Sequence, residues 1–183
     1  MHQMELPPFT KEQDAIFLRL TKHSAYIRVK ILESYVSVEH IMDVVIGMLK
    51  IHIDESFMYD KKLGEMNLNQ LERKLKLLKK CLTFYDQTYY KTTSPIVEAI
   101  KETSPIRDMC AHWGTDTTNE ALNLYNTNGT IRYMNMVHGV VETKVIEKVD
   151  VVHFLNNLNT ANKVLIEICR DLLPKMPVVP ITD

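Results

Sequence analysis

The sequence predicts an all-α protein, a bundle of four to five helices with a small β-hairpin inserted before the last helix. Two observations predict the helices: apolar residues recur at spacings of three and four along most of the chain, and Thr10 and two Ser-Pro pairs are typical of helix starts. The 183 residues include only 5 Gly and 7 Pro, which excludes collagen-like and low-complexity chains. A third observation predicts the hairpin, because only residues 131–147 alternate with a period of two. We expect residues 1–183 to form one domain with loose termini at 1–9 and 174–183.

Capping residues and an apolar seam predict the first two helices. Thr10 can cap a helix that starts at Lys11 and runs to about His23, with Gln13 in the capping-box position. A second helix should cover residues 24–52, with one continuous seam formed by Ile31, Tyr35, Val38, Met42, Val45 and Leu49. A second apolar row beside the seam would pack against either the chain's own bundle or a partner subunit; its members are Ile41, Val44, Met48 and Ile51.

The middle of the chain carries a leucine stripe and two Ser-Pro pairs. Asn67 or Asn69 could cap a third helix, whose stripe is formed by Leu68, Leu71, Leu75, Leu78 and Leu82. Ser94-Pro95 and Ser104-Pro105 are typical of helix starts, so they predict either two short helices or one helix kinked at Pro105. Gly114 should end this helical region.

The last third of the chain predicts the hairpin and a final helix. Residues 115–130 are polar, with one helical turn expected at 120–125. His138-Gly139 fits a two-residue hairpin turn, because Gly tolerates positive φ. The final helix should run from about Val151 to Leu173, and prolines end regular structure after it.

Composition excludes several classes of protein. With 22 basic and 23 acidic residues the net charge is −1, so a generally basic nucleic-acid coat is excluded, although a local basic patch is not. There is no signal-peptide pattern and no uncharged apolar stretch long enough to span a membrane, so we expect a cytoplasmic protein without a membrane partner. The three cysteines form no CxxC pair and no E-x-x-H occurs, so we expect no metal and no cofactor.

Residues 104–114 concentrate the reactive side chains. Asp108 and His112 stand at positions i and i+4, where a carboxylate on the same helix face can fix the tautomer of the imidazole. Arg107 and His112 lie about 140° apart on a helix, so one copy would not direct both groups at one phosphate. Cleavage of RNA by its 2′-OH needs a base, an acid and positive charge on the phosphorane, which His and Arg can supply.

This segment resembles the Rx4–6H motif of the HEPN family (higher eukaryotes and prokaryotes nucleotide-binding). The matching residues are Arg107 and His112, with Asp108 in the polar position after the Arg and Ile106 before it. The resemblance implies a helical, metal-independent endoribonuclease, often a toxin of a toxin–antitoxin or phage-defence system. Such domains typically dimerise so that two motifs share one cleft, and other members only bind RNA or nucleotides or act as scaffolds. The implied partners are therefore RNA, a second copy and an antitoxin protein.

A basic helix face and the single Trp are candidates for RNA contact. Between positions 71 and 80 five basic side chains and one acidic one give a local charge of +4; the basic ones are Arg73, Lys74, Lys76, Lys79 and Lys80. A solvated helix face is the alternative interpretation. Trp113 could stack on a base or anchor a core or interface.

The motif residues also have structural interpretations. Arg107 could pair with Asp108 or Glu102, and His112 could simply end a helix, where imidazolium is favoured by the dipole. Cys110 is a poor partner for His112, because residues two apart face different sides of a helix, and a buried structural Cys is the expected alternative.

Overall fold

The structure, a computed structural model, describes residues 10–52 and 71–176. This part of the chain is mostly helical and contains one small antiparallel sheet, so the helical class predicted from apolar spacing is confirmed. The predictions for residues 1–9, for Leu68 and for a cap at Asn67 or Asn69 lie outside the described residues.

Helix α1 spans Lys11–His52 without interruption. The capping box is confirmed: Thr10 N–H donates to Gln13 Oε1 at 2.9 Å, and Gln13 N–H donates to Thr10 Oγ1 at 3.2 Å. The expected break between His23 and Ser24 is wrong. Ser24 is 1% exposed, and its hydroxyl bonds to residues distant in sequence, so its polar group supports tertiary packing inside the helix instead of capping a new one.

Helix α2 covers Leu71–Tyr85 and helix α3 covers Gln87–His112. The prediction that helical structure starts at Pro95 is wrong, because α3 begins earlier, where the Asp86 carboxylate accepts the Thr88 N–H at 2.7 Å. Both Pro95 and Pro105 lie inside α3. Buried side chains on both sides of the prolines hold the helix in place, so packing outweighs the hydrogen bonds that proline removes.

Gly114 does not act as a left-handed helix cap. It opens strand β1, Gly114–Thr115, which pairs with β2 and makes the sheet three-stranded where only a hairpin was expected. Helix α4 follows at Asn119–Asn128, longer than the single predicted turn. Thr118 caps its start and accepts the Ala121 N–H, and Gly129, at φ 75°, closes its end in the left-handed conformation.

The predicted hairpin is confirmed. Strands β2 (Ile131–Val137) and β3 (Val140–Ile146) pair antiparallel, and the sheet order is β1-β2-β3. The turn residues have positive φ, 50° at His138 and 81° at Gly139, as a two-residue hairpin turn requires. Helix α5 spans Lys148–Leu172, starting slightly earlier than predicted, and a 3₁₀ turn at Leu173–Lys175 continues into the segment that was expected to be loose.

The described part of the chain divides into two compact units, and the single domain expected from the sequence stays a prediction. Of the described residues, the first unit, called here the sheet unit, comprises 10–32 and 106–153, and the second, the helical unit, comprises 33–52, 71–105 and 154–176. Each unit has its own buried residues. In the sheet unit Leu20, Leu122 and Tyr133 are almost fully buried. In the helical unit the same holds for Tyr35, Leu78 and Phe154.

The two apolar rows of α1 behave differently. Every residue of the predicted seam is buried, from Ile31 to Leu49. The second row is only partly covered by the described residues, since Val44 is 39% and Ile51 54% exposed. No helix in the described part of the chain combines the length and the apolar character needed to cross a bilayer.

Candidate functional site

The motif residues lie in the last two turns of α3, within the sheet unit. His112 is exposed, while the side chains of Arg107 and Asp108 are 36% and 56% exposed. Since the helix is continuous to His112, Arg107 and His112 lie on different faces of it, about 140° apart. One copy of the chain therefore does not direct both groups at the same phosphate.

The Asp108 carboxylate pairs with Arg107. Its Oδ1 accepts a hydrogen bond from Arg107 Nη1 at 2.9 Å. In the described part of the chain Asp108 makes no hydrogen bond to His112, although the two stand at i and i+4. In this conformation the Asp108 carboxylate therefore does not orient the His112 imidazole as predicted, because it pairs with Arg107 instead.

Trp113 continues the last turn of α3 and is held from several sides. The backbone N–H of Trp113 donates to the Met109 carbonyl at 2.9 Å, and the backbone carbonyl of Trp113 accepts a hydrogen bond from Arg28 Nη2. Lys144 Nζ of β3 lies 5.0 Å from the centroid of the indole ring, a cation–π contact. The indole therefore anchors the end of the motif against the sheet and brings a cation next to it.

Polar side chains of α1, β1 and β2 form a buried cluster beside the end of the motif. The hydroxyl of Ser24 lies 2.7 Å from Thr115 Oγ1 and donates to the Tyr133 hydroxyl at 3.1 Å. The guanidinium of Arg28 lies over the Tyr133 ring, 5.0 Å from its centroid. Arg28 Nε is buried without a hydrogen-bond partner among the described residues. Burial raises the pKa of Tyr133, so this hydroxyl stays protonated near neutral pH.

Sequence reasoning missed this cluster, although a signal was present. Ser24 and Arg28 stand at i and i+4 among the buried positions Leu20, Ile27 and Ile31 of α1. A polar residue in a core row needs a polar partner elsewhere in the fold, and that partner cannot be identified from spacing alone.

Cys110 is a structural residue, as expected. It is 2% exposed, and burial raises its pKa to about 11, an effect that the charge of Arg28 opposes. The thiol is therefore protonated at neutral pH and does not serve as a nucleophile.

Downstream of the motif, Arg132 of β2 contacts the loop after β1 and the first turn of α4. Arg132 Nε contacts Asp116 Oδ2 at 2.6 Å and Arg132 Nη1 contacts Glu120 Oε2 at 3.0 Å. Arg132 Nη2 also donates to Thr118 Oγ1 at 3.0 Å. These contacts fix the loop that follows β1, directly after the motif.

The basic face of α2 belongs to the helical unit and is less basic than the sequence predicts. Lys74 is not on a solvated face: it is 8% exposed, and its Nζ lies 2.7 Å from Asp43 Oδ2. Lys76 pairs with Glu72 at 3.6 Å, and Lys79 lies 4.0 Å from Glu98. The prediction that Lys74 contacts RNA stays a prediction; in this structure its side chain is 11% exposed and pairs with Asp43, which is 44% exposed.

A small pocket brings a further lysine, Lys101, next to the basic face of α2; the sequence did not indicate it as a candidate for RNA contact. Its volume is about 170 Å³, and Lys101 of α3 lines it together with Lys76 and Lys79 of α2. Two acidic side chains, Glu72 and Glu98, line the same pocket, so the local charge is only weakly positive. Arg73 and Lys80 are exposed on α2.

Among the described residues no three His, Cys, Asp or Glu side chains converge as a metal site would require. Comparison of the chain with protein-family models, with curated proteins and with solved structures finds no match in any of the three.

Proposed function

We propose that the chain is a HEPN-like, metal-independent endoribonuclease of toxin–antitoxin or phage-defence type that acts in the cytoplasm as a homodimer. The observation that carries the proposal is the placement of His112 and Arg107 at the exposed end of α3, on different faces of the helix. Two copies related by a two-fold axis can supply both groups to one cleft, which a single copy cannot do.

The proposed reaction is transesterification within RNA. A His112 imidazole removes the proton of a ribose 2′-OH, and the oxygen attacks the adjacent phosphorus. The bond to the 5′-oxygen breaks, and the leaving oxygen takes a proton from an acid, for which the second His112 is available. The products are a 2′,3′-cyclic phosphate and a 5′-hydroxyl. Arg107 stabilises the charge on the non-bridging oxygens, which requires that it turn away from Asp108.

The test is cleavage of RNA by the purified chain in the presence of EDTA. We expect His112→Ala and Arg107→Ala each to lower the rate about 100-fold or more. His40→Ala and Arg170→Ala are matched controls, since both residues are exposed and lie in the helical unit. Equal rates in all variants would contradict a catalytic role for the motif. Growth arrest on expression that disappears with His112→Ala, or with a co-expressed antitoxin, would further support the toxin assignment.

A second candidate is a non-catalytic module that binds RNA or nucleotides. The Arg107–Asp108 contact at 2.9 Å favours it, because the guanidinium would have to leave this carboxylate before it could bind a phosphorane. In this case the wild-type chain would bind RNA without cleaving it, and His112→Ala would leave the affinity unchanged. Binding and cleavage measured on the same labelled RNA separate the two candidates.

A further inference from the structure

Strand β3 is an exposed edge of the sheet. Among the described strands it pairs with β2 on one side only. Six of its residues are exposed and only Ile146 is buried. The exposed residues include Val140, Val141 and Val145, at 64%, 51% and 52% exposure. An exposed apolar edge strand offers its unpaired N–H and C=O groups to another strand.

The register shows which backbone groups face outward. Val137 and Val140 flank a two-residue turn, so they form a hydrogen-bonded pair, and such pairs alternate along the ladder. Glu142 and Lys144 therefore direct their backbone groups toward β2, while Val141, Thr143 and Val145 direct theirs away from it. The Arg132 carbonyl agrees with this pattern: Arg132 is opposite Val145, and its carbonyl accepts the Asp116 N–H at 2.9 Å on the side of β1.

The sequence of β3 is complementary to itself. Around Thr143 it reads Val141-Glu142-Thr143-Lys144-Val145. In an antiparallel pair centred on Thr143, Glu142 of each copy stands opposite Lys144 of the other, and Val141 stands opposite Val145. We propose that β3 pairs with β3 of a second copy about a two-fold axis at Thr143, which extends the two sheets into one of six strands.

In this register the backbone groups of β3 that face away from β2 form the new hydrogen bonds. Thr143 would exchange two hydrogen bonds with its own counterpart, and each Val141 would exchange two with the opposing Val145. Glu142 and Lys144 would form two ion pairs on one face of the joined sheet, and the valines would form an apolar strip on the other, beside the 70% exposed Met136. A second copy of this strand therefore matches both the charges and the apolar surface of β3.

This interface is separate from the proposed catalytic dimer and does not depend on it. Gly114, Met134 and Thr143 lie in one row across the three strands. With a strand spacing of about 4.8 Å, the two copies of Gly114 would stand about 24 Å apart across the axis. The adjacent His112 residues would not share a phosphate there. Glu142→Lys leaves the contact between Lys144 and Trp113 in place, so this variant distinguishes loss of this interface from loss of RNA cleavage.

Charge reversal tests the register, with self-association of the purified chain measured by sedimentation over a range of concentrations. Glu142→Lys alone and Lys144→Glu alone each place like charges opposite one another, so each should weaken association about tenfold or more. The double reversal restores complementarity and should restore association. An equimolar mixture of the two single variants should associate with each other. Lys22→Glu, an exposed site on α1, is the control for the charge change itself.

A cysteine substitution provides a second measurement. Opposite residues of a hydrogen-bonded pair have Cα atoms about 5.5 Å apart, within disulfide reach, so Thr143→Cys should give a disulfide-linked dimer under mild oxidation. Glu142→Cys is the matched control, because its counterpart would lie roughly 8 Å away. A wild-type chain that stays at 21.3 kDa at all concentrations, or identical association in all charge variants, overturns the proposal. Either result would mean that β3 does not pair with β3 of a second copy in this register.

Discussion

At the scale of single residues, Asp116 has the most specific environment of the described acids. It is 2% exposed, and burial alone would raise its pKa. Hydrogen bonds from Thr118 and the charge of Arg132 outweigh burial and hold the pKa below its ordinary value of 3.8. A carboxyl with a lowered folded-state pKa stabilises the fold above its unfolded-state pKa, and this contribution is lost as the pH falls through the folded-state value.

We therefore predict that Asp116→Asn lowers the free energy of unfolding at pH 7 by about 2 kcal/mol, because a buried hydrogen bond to a charged partner is removed. The difference from wild type should stay constant down to about pH 4 and shrink below it. Urea denaturation at a series of pH values measures both effects. Asp108→Asn is the control: its exposed pair with Arg107 should contribute less than about 1 kcal/mol. A difference that does not shrink as the pH falls below 4 would contradict the assignment.

The sequence predicted which residues gather at the end of α3 but left open which of them pair. Arg107, Asp108 and His112 share the last two turns as expected, since helical periodicity sets their positions. The pair of Arg107 with Asp108 was one of the alternatives, and spacing alone did not decide between it and a contact of Asp108 with His112. The partner of Lys74 was not predicted: Lys74 is buried against Asp43, which stands 31 positions earlier in the chain. Local spacing contains no information about such a distant contact.

At the scale of elements, the hairpin turn depends on backbone conformation. Gly139 has φ 81°, which L-residues with a side chain rarely adopt. We predict that Gly139→Ala lowers the free energy of unfolding by about 1–2 kcal/mol. The cost is conformational, because a Cβ at this position would meet nothing within 4 Å. Urea denaturation measures it, and unchanged stability would mean that the turn can adopt a different conformation.

At Gly47 the same substitution to alanine should change the free energy of unfolding in the opposite direction. It lies inside α1, its backbone φ is helical, and a Cβ there would also meet nothing within 4 Å. Gly47→Ala should raise the free energy of unfolding by about 0.5–1 kcal/mol, since alanine restricts the unfolded chain and favours the helix. Opposite signs for the two substitutions, measured under the same conditions, would confirm that φ and not side-chain volume determines the result.

The elements that the sequence predicted well are those with local signals. The capping box at Thr10, the buried seam of α1 and the turn at His138-Gly139 were all identified from short patterns. The errors occur where tertiary contacts override such patterns. The expected break at Ser24 does not occur, because Ser24 bonds to Tyr133 inside a continuous helix, and Pro95 lies inside α3. Helix α3 does end before Gly114, but this residue joins the sheet through pairing with Met134. Strand β1 has only two residues, too few for any periodicity to show.

At the scale of the whole molecule, charge is balanced both overall and locally. The net charge of −1 excludes a uniformly basic surface. On α2, three of the lysines in the basic run lie within 4.0 Å of a carboxylate: Lys74 near Asp43, Lys76 near Glu72 and Lys79 near Glu98. The local charge of +4 between positions 71 and 80 already includes Glu72, and two acids from other parts of the helical unit, Asp43 and Glu98, reduce it to +2. RNA binding as proposed above would therefore depend on a few cations and not on a broadly basic surface.

This balance predicts a weak dependence of RNA affinity on salt. For single-stranded RNA the slope of log K against log salt concentration is about −0.7 per phosphate contacted, so we expect a slope no steeper than about −2. Fluorescence anisotropy of a labelled RNA across a series of KCl concentrations measures it. Arg73→Gln, at an exposed site, should make the slope shallower by about 0.7. Lys74→Gln should leave the slope unchanged while lowering stability, because it leaves Asp43 without its partner. A slope of −4 or steeper would mean that the acids beside these lysines move away when RNA binds.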